Sequence, residues 1–530
     1  MKKFFQAAAA DLPASIVVFL VALPLCLGIA LGSNAPNLFA GLTGGIIGGI
    51  VIGFLSGSQL SVSGPAAGLT AIVAAAIGKL PAYEAFLLAV VLAGCIQLLF
   101  GFLKGGFLGD YVPNSVIKGM LAAIGLILIL KQLPHLVGYD KDFAGDETFF
   151  QKDSKNTFSE ILYAINYITP VAILIGLLGL FVQVLWEKVL VKKAAIFKLI
   201  PAPLIVVAIG IFLNYAFAGT NKFALDAEHL VNIPVANSFS QFTSFFTSPN
   251  WSFILNTDVW AIAITLALVA SLETLLSIEA ADKLDPYKRV TDNNRELKAQ
   301  GVGNIVSGLI GGLPLTSVIV RTSANVNAGG KTKLSTISHG FLLLISVAFI
   351  PGLLNKIPYA ALASILIYTG YKLAKISLFK EFYSKGWDQF IPFITTILAV
   401  LLTDLLKGII IGLVIGLFFV LRSNFKSAVL VVNDNKKYLV RFRKDVSFLN
   451  KPIVKRKLEM IPPNTFVLID TTRADFIDKD IIDTINEFTL HAHMKNIRVE
   501  VKKSIYKPSH EALKMASKEV EILENELLNN

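Results

Sequence analysis

Residues 311–334 read GGLPLTSVIVRTSANVNAGGKTKL. Two glycines and a proline open a stretch too short and too polar for an ordinary span, with Arg321 near its middle, while the chain on both sides is overwhelmingly apolar. An arginine at bilayer depth is costly unless it faces a cavity or a partner. The fold around this segment therefore has to compensate Arg321.

The surroundings do read as membrane. Of 530 residues, 54% are hydrophobic and 16% charged, and the mean hydropathy is +0.65, far more apolar than a soluble domain. Apolar runs at 83–101, 168–186, 258–278, 334–350 and 406–421 are each about 20 residues long, enough to fit the hydrocarbon core at ~1.5 Å per residue. The first apolar run, 12–31, lacks a small-residue cleavage site followed by soluble chain, so it reads as a span and not as a cleaved signal. Cys26 and Cys95 both fall in expected spans. Packing residues are the reading they support, not a disulfide framework or a zinc site.

The net charge of +11 is no nucleic-acid signal, because its distribution follows the spans. Lys188, Lys192, Lys193 and Lys198 lie in one connection, and Lys283, Lys288, Arg289, Arg295 and Lys298 in another. The positive-inside rule places both in the cytoplasm and, counting outward, gives one self-consistent topology of about fourteen segments. Met1-Lys2-Lys3, Lys331, Lys333, Lys372, Lys375, Arg422 and Lys426 share that side, and the acidic connection 132–160 and the aromatic one 218–257 lie outside. The expected location is the cell's plasma (inner) membrane, with the N-terminus and the C-terminal domain cytoplasmic.

Two places break the rhythm of long spans in the same way. QLSVSGPAAGLTAIVAAAIGKLP (59–81) passes through Gly64-Pro65 into a short helix, and Gly311-Gly312-Leu313-Pro314 leads into another. Paired interruptions in corresponding positions point to an inverted-repeat transporter with a midplane site. A broken helix leaves N–H groups unpaired at bilayer depth, tolerable only beside protein or a water-filled cavity, and two such ends make a pocket that favours an anion. The repeats span approximately 10–217 and 256–422 within a membrane domain 1–425. Beyond it, strand-like Lys437–Phe442, Thr465–Asp470 and Ile497–Val501 and amphipathic 478–489 and 509–528 describe a small soluble α/β domain, 426–530. Glycines 41, 45, 49, 53 and 57 form a stripe read as close helix packing.

Within these breaks, Arg321 either supplies positive potential to a bound anion or pairs with Glu273, and Thr316 and Ser317 add hydroxyl donors. Glu273 sits well inside a span with Ser277 one turn on, on the same face. A carboxylate there is a proton carrier or a ligand for Na⁺. Glu279, off that face, is the weaker candidate. GGKT (329–332) is no P-loop, since Asn325 stands where the motif needs glycine, and HAH (491–493) lacks partners at metal spacing. No nucleophile triad, metal centre or cofactor motif is present in the sequence, which argues against an enzyme.

The combination of Asp11 with VALPLCLGIALG, SVSGPAAGLTA, SLETLLS followed by AAD, RTSANVNAGGKTKLS and the C-terminal domain resembles the SulP family of sulfate-permease-type anion transporters over nearly the whole chain. The resemblance implies a seven-plus-seven inverted repeat, a core domain moving against a gate domain, a cytoplasmic STAS domain and a homodimer. It further implies substrate contacts at Ala66, Ala67 and Gly68 in the third segment and at Ser317, Val318 and Arg321 in the tenth. Glu273 and Ser277 match the positions that hold the coupling cation in sodium-dependent bicarbonate relatives. Two departures stand out: Leu25 follows Pro24 where many relatives have glutamine, and Lys479 and Asp480 occupy the positions of the phosphorylatable serines. The expectation is thus secondary transport of a small inorganic anion, sulfate or bicarbonate, coupled to Na⁺ or H⁺. A nucleobase or organic-anion transporter of the same fold and a passive anion channel are the alternatives.

Overall fold

The computed structural model describes residues 2–141, 149, 156–193, 197, 200–217, 225–235, 239–426, 428–503 and 513. The chain divides into two compact units, Met1–Ile415 and Gly416–Asn530, and the division falls within one helix. The expected helix 509–528 lies outside the described residues.

In the first unit the principal elements run α1 (Lys2–Gly32), α2 (Phe39–Ile47, prolonged by a π-helical turn Gly48–Ile52), β1 (Ser63–Pro65), α3 (Ala67–Lys79), α4 (Tyr83–Phe102), α5 (Asn114–Leu136), α6 (Pro170–Leu185) and α7 (Ala202–Phe217). They continue as α8 (Thr257–Leu284), α9 (Asn293–Leu309), β2 (Leu315–Ser317), α10 (Ile319–Asn327), α11 (Lys333–Phe349), α12 (Tyr359–Leu373), α13 (Trp387–Leu402) and α14 (Leu405–Lys426). Among the described residues, six helices are long and apolar enough to cross a membrane, and six shorter ones are also apolar. The protein is multi-pass. The expected runs at 83–101, 168–186, 258–278, 334–350 and 406–421 correspond to α4, α6, α8, α11 and α14.

The packing has an internal order. Helix α1 packs on α11, α4 on α8 and on α9, the π turn after α2 on α11, and α5 on α12. Exchanging each helix for the one seven places away turns α1·α11 into α8·α4 and α4·α9 into α11·α2, and leaves α5·α12 unchanged. Glycine permits the closest of these contacts. A Cβ on Gly94 would lie 2.6 Å from the carbonyl oxygen of Gly301, and one on Gly125 would lie 2.6 Å from that of Gly370. The glycine stripe serves packing as its spacing implies, but it faces three partners: Gly41 abuts the backbone of Cys26 on α1, Gly49 abuts Gly340 on α11, and Gly57 meets Thr291 and Asp292 at the start of α9.

The two short helices follow the two strands. β1 and β2 pair antiparallel, with Ser63 opposite Ser317, Gly64 opposite Thr316 and Pro65 opposite Leu315. This pairing, between segments some 250 positions apart in the chain, satisfies backbone groups that a broken helix would leave exposed at bilayer depth. Helix α10 ends where Gly329, at φ +89°, takes the left-handed conformation that suits a helix C-terminus. The GG of the GGKT tetrapeptide is therefore a helix stop.

At the far end of α5, Asp140 ties two loops together: its carboxylate oxygens meet His135 Nδ1 at 2.5 Å and His229 Nδ1 at 2.7 Å. Burial alone would raise Asp140, but hydrogen bonds with His135 and His229 hold it below the ordinary carboxylate range, and the same contact lifts His229 above its ordinary value.

The second unit holds a four-stranded sheet in the order β3 (Val429–Asp434), β4 (Lys437–Phe442), β5 (Phe466–Asp470), β6 (Arg498–Lys502). β3 and β4 are an antiparallel hairpin turning at Asn435 (φ +54°), and β4, β5 and β6 run parallel. The helices α15 (Lys451–Glu459) and α16 (Lys479–His491) make the crossovers. The three expected strands and the helix at 478–489 are all present, within two residues at each end. Asp478 caps α16 by accepting from Asp480 N at 3.1 Å, so Lys479 and Asp480 form the helix's first turn.

Candidate functional site

The strand pair fixes the geometry of the expected site. Because β1 and β2 run antiparallel, α3 starts at one end of the three-residue ladder and α10 at the other, about 10 Å away at ~3.3 Å per residue. Their caps, Ala66 and Val318, are extended residues with no side-chain capping bond. The opening N–H groups of a helix have no intrahelical partner, so both helices present donors and positive dipole ends beside the ladder.

Arg321 is the third residue of α10, in its first turn, closer to the helix start than a helix running on directly from Pro314 would put it. The difference arises because 315–317 is strand. From that position its side chain reaches back across the ladder: Nη2 donates to the carbonyl of Pro65 at 3.2 Å and to Sγ of Cys26 at 3.3 Å. Neither partner is a carboxylate. The side chain is fully buried, and Nε and Nη1 have no hydrogen-bond partner among the described residues. Gly64 is what allows the crossing, since a Cβ there would sit 1.9 Å from Nη1. The charge carried by α10 is thereby delivered to the start of α3.

Glu273 approaches the same helix start from α8. Its carboxylate lies against Gly68 in the first turn of α3, where an added Cβ would be 3.1 Å from Oε1, a position the helix dipole favours for an anionic group. Glu273, Ser277 and Gly68 line a cavity of about 10 Å³ whose other walls, Met120, Val269, Leu276, Leu405 and Ile409, are apolar. The expected residues Ala66, Ala67, Gly68, Glu273 and Ser277 thus gather at α3, and Val318 and Arg321 belong to α10 but act across the ladder.

The two hydroxyl candidates are spent on the scaffold. Ser317 Oγ lies 2.7 Å from Ser61 Oγ, and Thr316 Oγ1 donates to the carbonyl of Ser317 at 3.2 Å. Thr322 Oγ1 accepts from Val62 N at 3.0 Å and Ser317 N donates to Thr274 Oγ1 at 3.3 Å. The charge-based reading of 283–298 also passes over a polar face on α9. Glu296, Gln300, Asn304 and Ser307 fall on one side of that helix at helical spacing. Asn304 brackets the backbone of Leu315, donating to its carbonyl at 3.0 Å and accepting from its N–H at 2.6 Å, while Gln300 reaches Ser63 Oγ at 2.6 Å. The signal was the i, i+4, i+8 recurrence of amide and acid side chains beside glycines. Asp11 likewise holds the α10–α11 link, accepting from Lys331 N at 2.6 Å and Thr332 N at 3.1 Å.

A larger cavity of about 320 Å³ opens beyond the C-terminal end of α10, between α1 and the α6, α7 and α12 helices; Ala324, one turn after Arg321, is in its wall.

Comparison with known proteins gives the same picture. The model of the sulfate permease family matches residues 9–396. A putative sulfate transporter, YvdB of Bacillus subtilis (strain 168), is 28% identical over 394 residues, covering 74% of this chain and 69% of that protein. The bicarbonate transporter BicA of Synechocystis is 26% identical over 410 residues, 76% of this chain and 68% of the relative. In three dimensions, the transmembrane domain of a cyanobacterial bicarbonate transporter BicA aligns over 78% of this chain and 98% of its own, with TM-score 0.51 and 22% identity. The murine Solute Carrier 26 family member A9 anion transporter in the inward-facing state aligns over 93% and 85%, with TM-score 0.63 and 16% identity. These last two likenesses are of fold.

Proposed function

Because the chain belongs to the sulfate permease family, we propose that it is a secondary transporter of a small inorganic anion, working by alternating access, and that the anion binds where Arg321 meets the starts of α3 and α10. The observation that carries this reading is the buried guanidinium with two nitrogens lacking hydrogen bonds. A charge so placed strengthens its interaction with an oxyanion in a low-dielectric setting, and the backbone donors around Ala66, Ala67, Gly68 and Val318 add to it. Relatives named for sulfate and bicarbonate make these the two anions to try first.

Glu273 and Ser277 are the proposed coupling site. Of the two coupling ions, the proton suits the lining better: one carboxylate and one hydroxyl stand among apolar side chains, whereas a hard cation gathers several oxygens. In this reading the helices pair as seven plus seven, which the exchange of packing partners supports. The second unit is a cytoplasmic STAS-like domain with a regulatory or folding role, the basic connections face the cytoplasm of the plasma membrane, and the protein is a homodimer. Uptake of labelled sulfate and bicarbonate into proteoliposomes, each with an imposed Na⁺ gradient and with a proton gradient, tests it. Accumulation of neither anion under either gradient overturns the reading.

A further inference from the structure

The 320 Å³ cavity carries an arrangement that the proposed anion site does not use. Among the described residues lining it, Glu187 and Lys372 are the only charged ones. Lys372 Nζ donates to Glu187 Oε1 and lies 4.8 Å from the centre of the Tyr368 ring, and the Tyr368 hydroxyl donates to Glu187 Oε2 at 3.2 Å. One carboxylate therefore takes both an ammonium and a phenol, the donor pair that an inorganic oxyanion would take. Burial of the two partners is unequal. The Glu187 side chain is 39% exposed and that of Lys372 16%, so the carboxylate has open space to move into while the lysine stays in the wall. With one partner partly exposed, the pair is open to competition from another anion for the same two donors. Glu187 also sits in a π-helical turn, Trp186–Leu190, at the end of α6, a local irregularity frequent at working sites. On the opposite wall, Ala324 stands three residues after Arg321, ~4.5 Å along the axis of α10.

Resting on the anion-transport reading, we propose that this cavity is an oxyanion subsite on the cytoplasmic side of Arg321, in which Glu187 is a tethered carboxylate displaced from Lys372 and Tyr368 by an anion that arrives from Arg321 or from the cytoplasm. No covalent step is involved: one anion replaces another on the same donors, and the net charge of the cavity changes only by that of the guest.

Trp186, whose indole N–H donates to the carbonyls of Phe197 and Ile200 at 3.0 Å, lines the cavity and reports on it without transport. In full-length protein with Trp251, Trp260 and Trp387 changed to Phe, sodium sulfate and sodium bicarbonate titrated at constant ionic strength should give a saturable Trp186 signal. Glu187→Gln should tighten the apparent Kd several-fold, Lys372→Gln should weaken it about tenfold or more, and Glu187→Gln should have no further effect once Lys372 is gone. A Glu187→Gln Kd equal to wild type, or tightening that persists without Lys372, overturns the proposal, as does a flat titration of the wild type. Arg321→Gln separates the two readings: the Trp186 titration should survive there while uptake falls. If the wild type titrates but takes up neither anion, the transport reading fails and the subsite stands.

Discussion

The two strand–helix breaks are built to one plan and carry opposite chemistry. Each is a three-residue strand, one extended cap without a side-chain capping bond, and then a helix. Counted from the cap, the third helical residue is Leu69 in α3 and Arg321 in α10. Leu69 packs in an apolar cluster with Val73, Val259 and Ala263, whereas Arg321 leaves its own helix and crosses Gly64 to the other one. The shared strand–helix plan supplies two sets of backbone donors, and a single side-chain difference adds the cationic group. In the proposed site the shared part would hold the geometry and the differing side chain would set the sign of what binds.

The most disruptive way to break this comparison is to make the two breaks alike. Leu69→Arg would place a second guanidinium inside the apolar cluster, at a cost of ~3–5 kcal/mol, typical of an uncompensated buried charge. The thermal midpoint of the detergent-solubilised protein should fall sharply, and Leu69→Arg should not rescue Arg321→Leu. Rescue of anion binding by the relocated charge would mean that the two breaks are interchangeable.

Next in size is loss of the charge itself. Arg321→Gln should weaken anion binding by ~1–3 kcal/mol, the cost of a lost charge-assisted hydrogen bond, and Arg321→Lys should recover part, keeping the point charge without the planar fork. Isothermal titration of purified protein reads both. Combining Arg321→Gln with Glu273→Gln separates an anion site from a structural ion pair, because wild-type affinity in the double variant is expected only of the pair.

How far these breaks were legible in the sequence differs along the chain. The interruptions at Gly64-Pro65 and at Gly311–Pro314 were readable because glycine and proline act locally on the backbone. Long apolar runs likewise located α4, α8 and α11, since a span's length is fixed by the bilayer and not by distant contacts. The β1–β2 ladder was not readable. Its register, Ser63 with Ser317, joins segments with no shared local signal, and missing it placed Arg321 too deep in its helix. The polar face of α9 was hidden for a related reason: Arg295 and Lys298 drew the eye to charge, while Gln300 and Asn304 gain meaning only once there is a strand edge to satisfy. The reach of Arg321 to Pro65 is a tertiary fact, which one-dimensional spacing does not contain.

A third change tests the division of labour at α3. Glu273→Gln keeps the shape of the side chain and removes its titratable charge, so anion affinity should hold while the dependence of uptake on the ion gradient disappears. Concentrative uptake with unchanged ion dependence would remove Glu273 from the coupling role.

The smallest expected effect comes from Gly68→Ala, and it probes the comparison most finely. The new methyl would stand 3.1 Å from Oε1 of Glu273 and 3.2 Å from its Cδ and Oε2, tight enough that the carboxylate must shift by a few tenths of an ångström. Alanine is the better helix former by up to ~1 kcal/mol, which offsets the crowding, so the thermal midpoint should move little. The carboxylate should feel the change and the guanidinium should not, because Arg321 meets the first break at Gly64 and Pro65, ahead of the helix, and Glu273 meets it one turn later. Gly68→Ala is therefore expected to alter the ion dependence of uptake modestly while leaving anion affinity at the wild-type value. Loss of affinity as large as that in Arg321→Gln would show that the charge from α10 and the carboxylate from α8 act as one unit at the start of α3, and the separation of anion site from coupling site would fall with it.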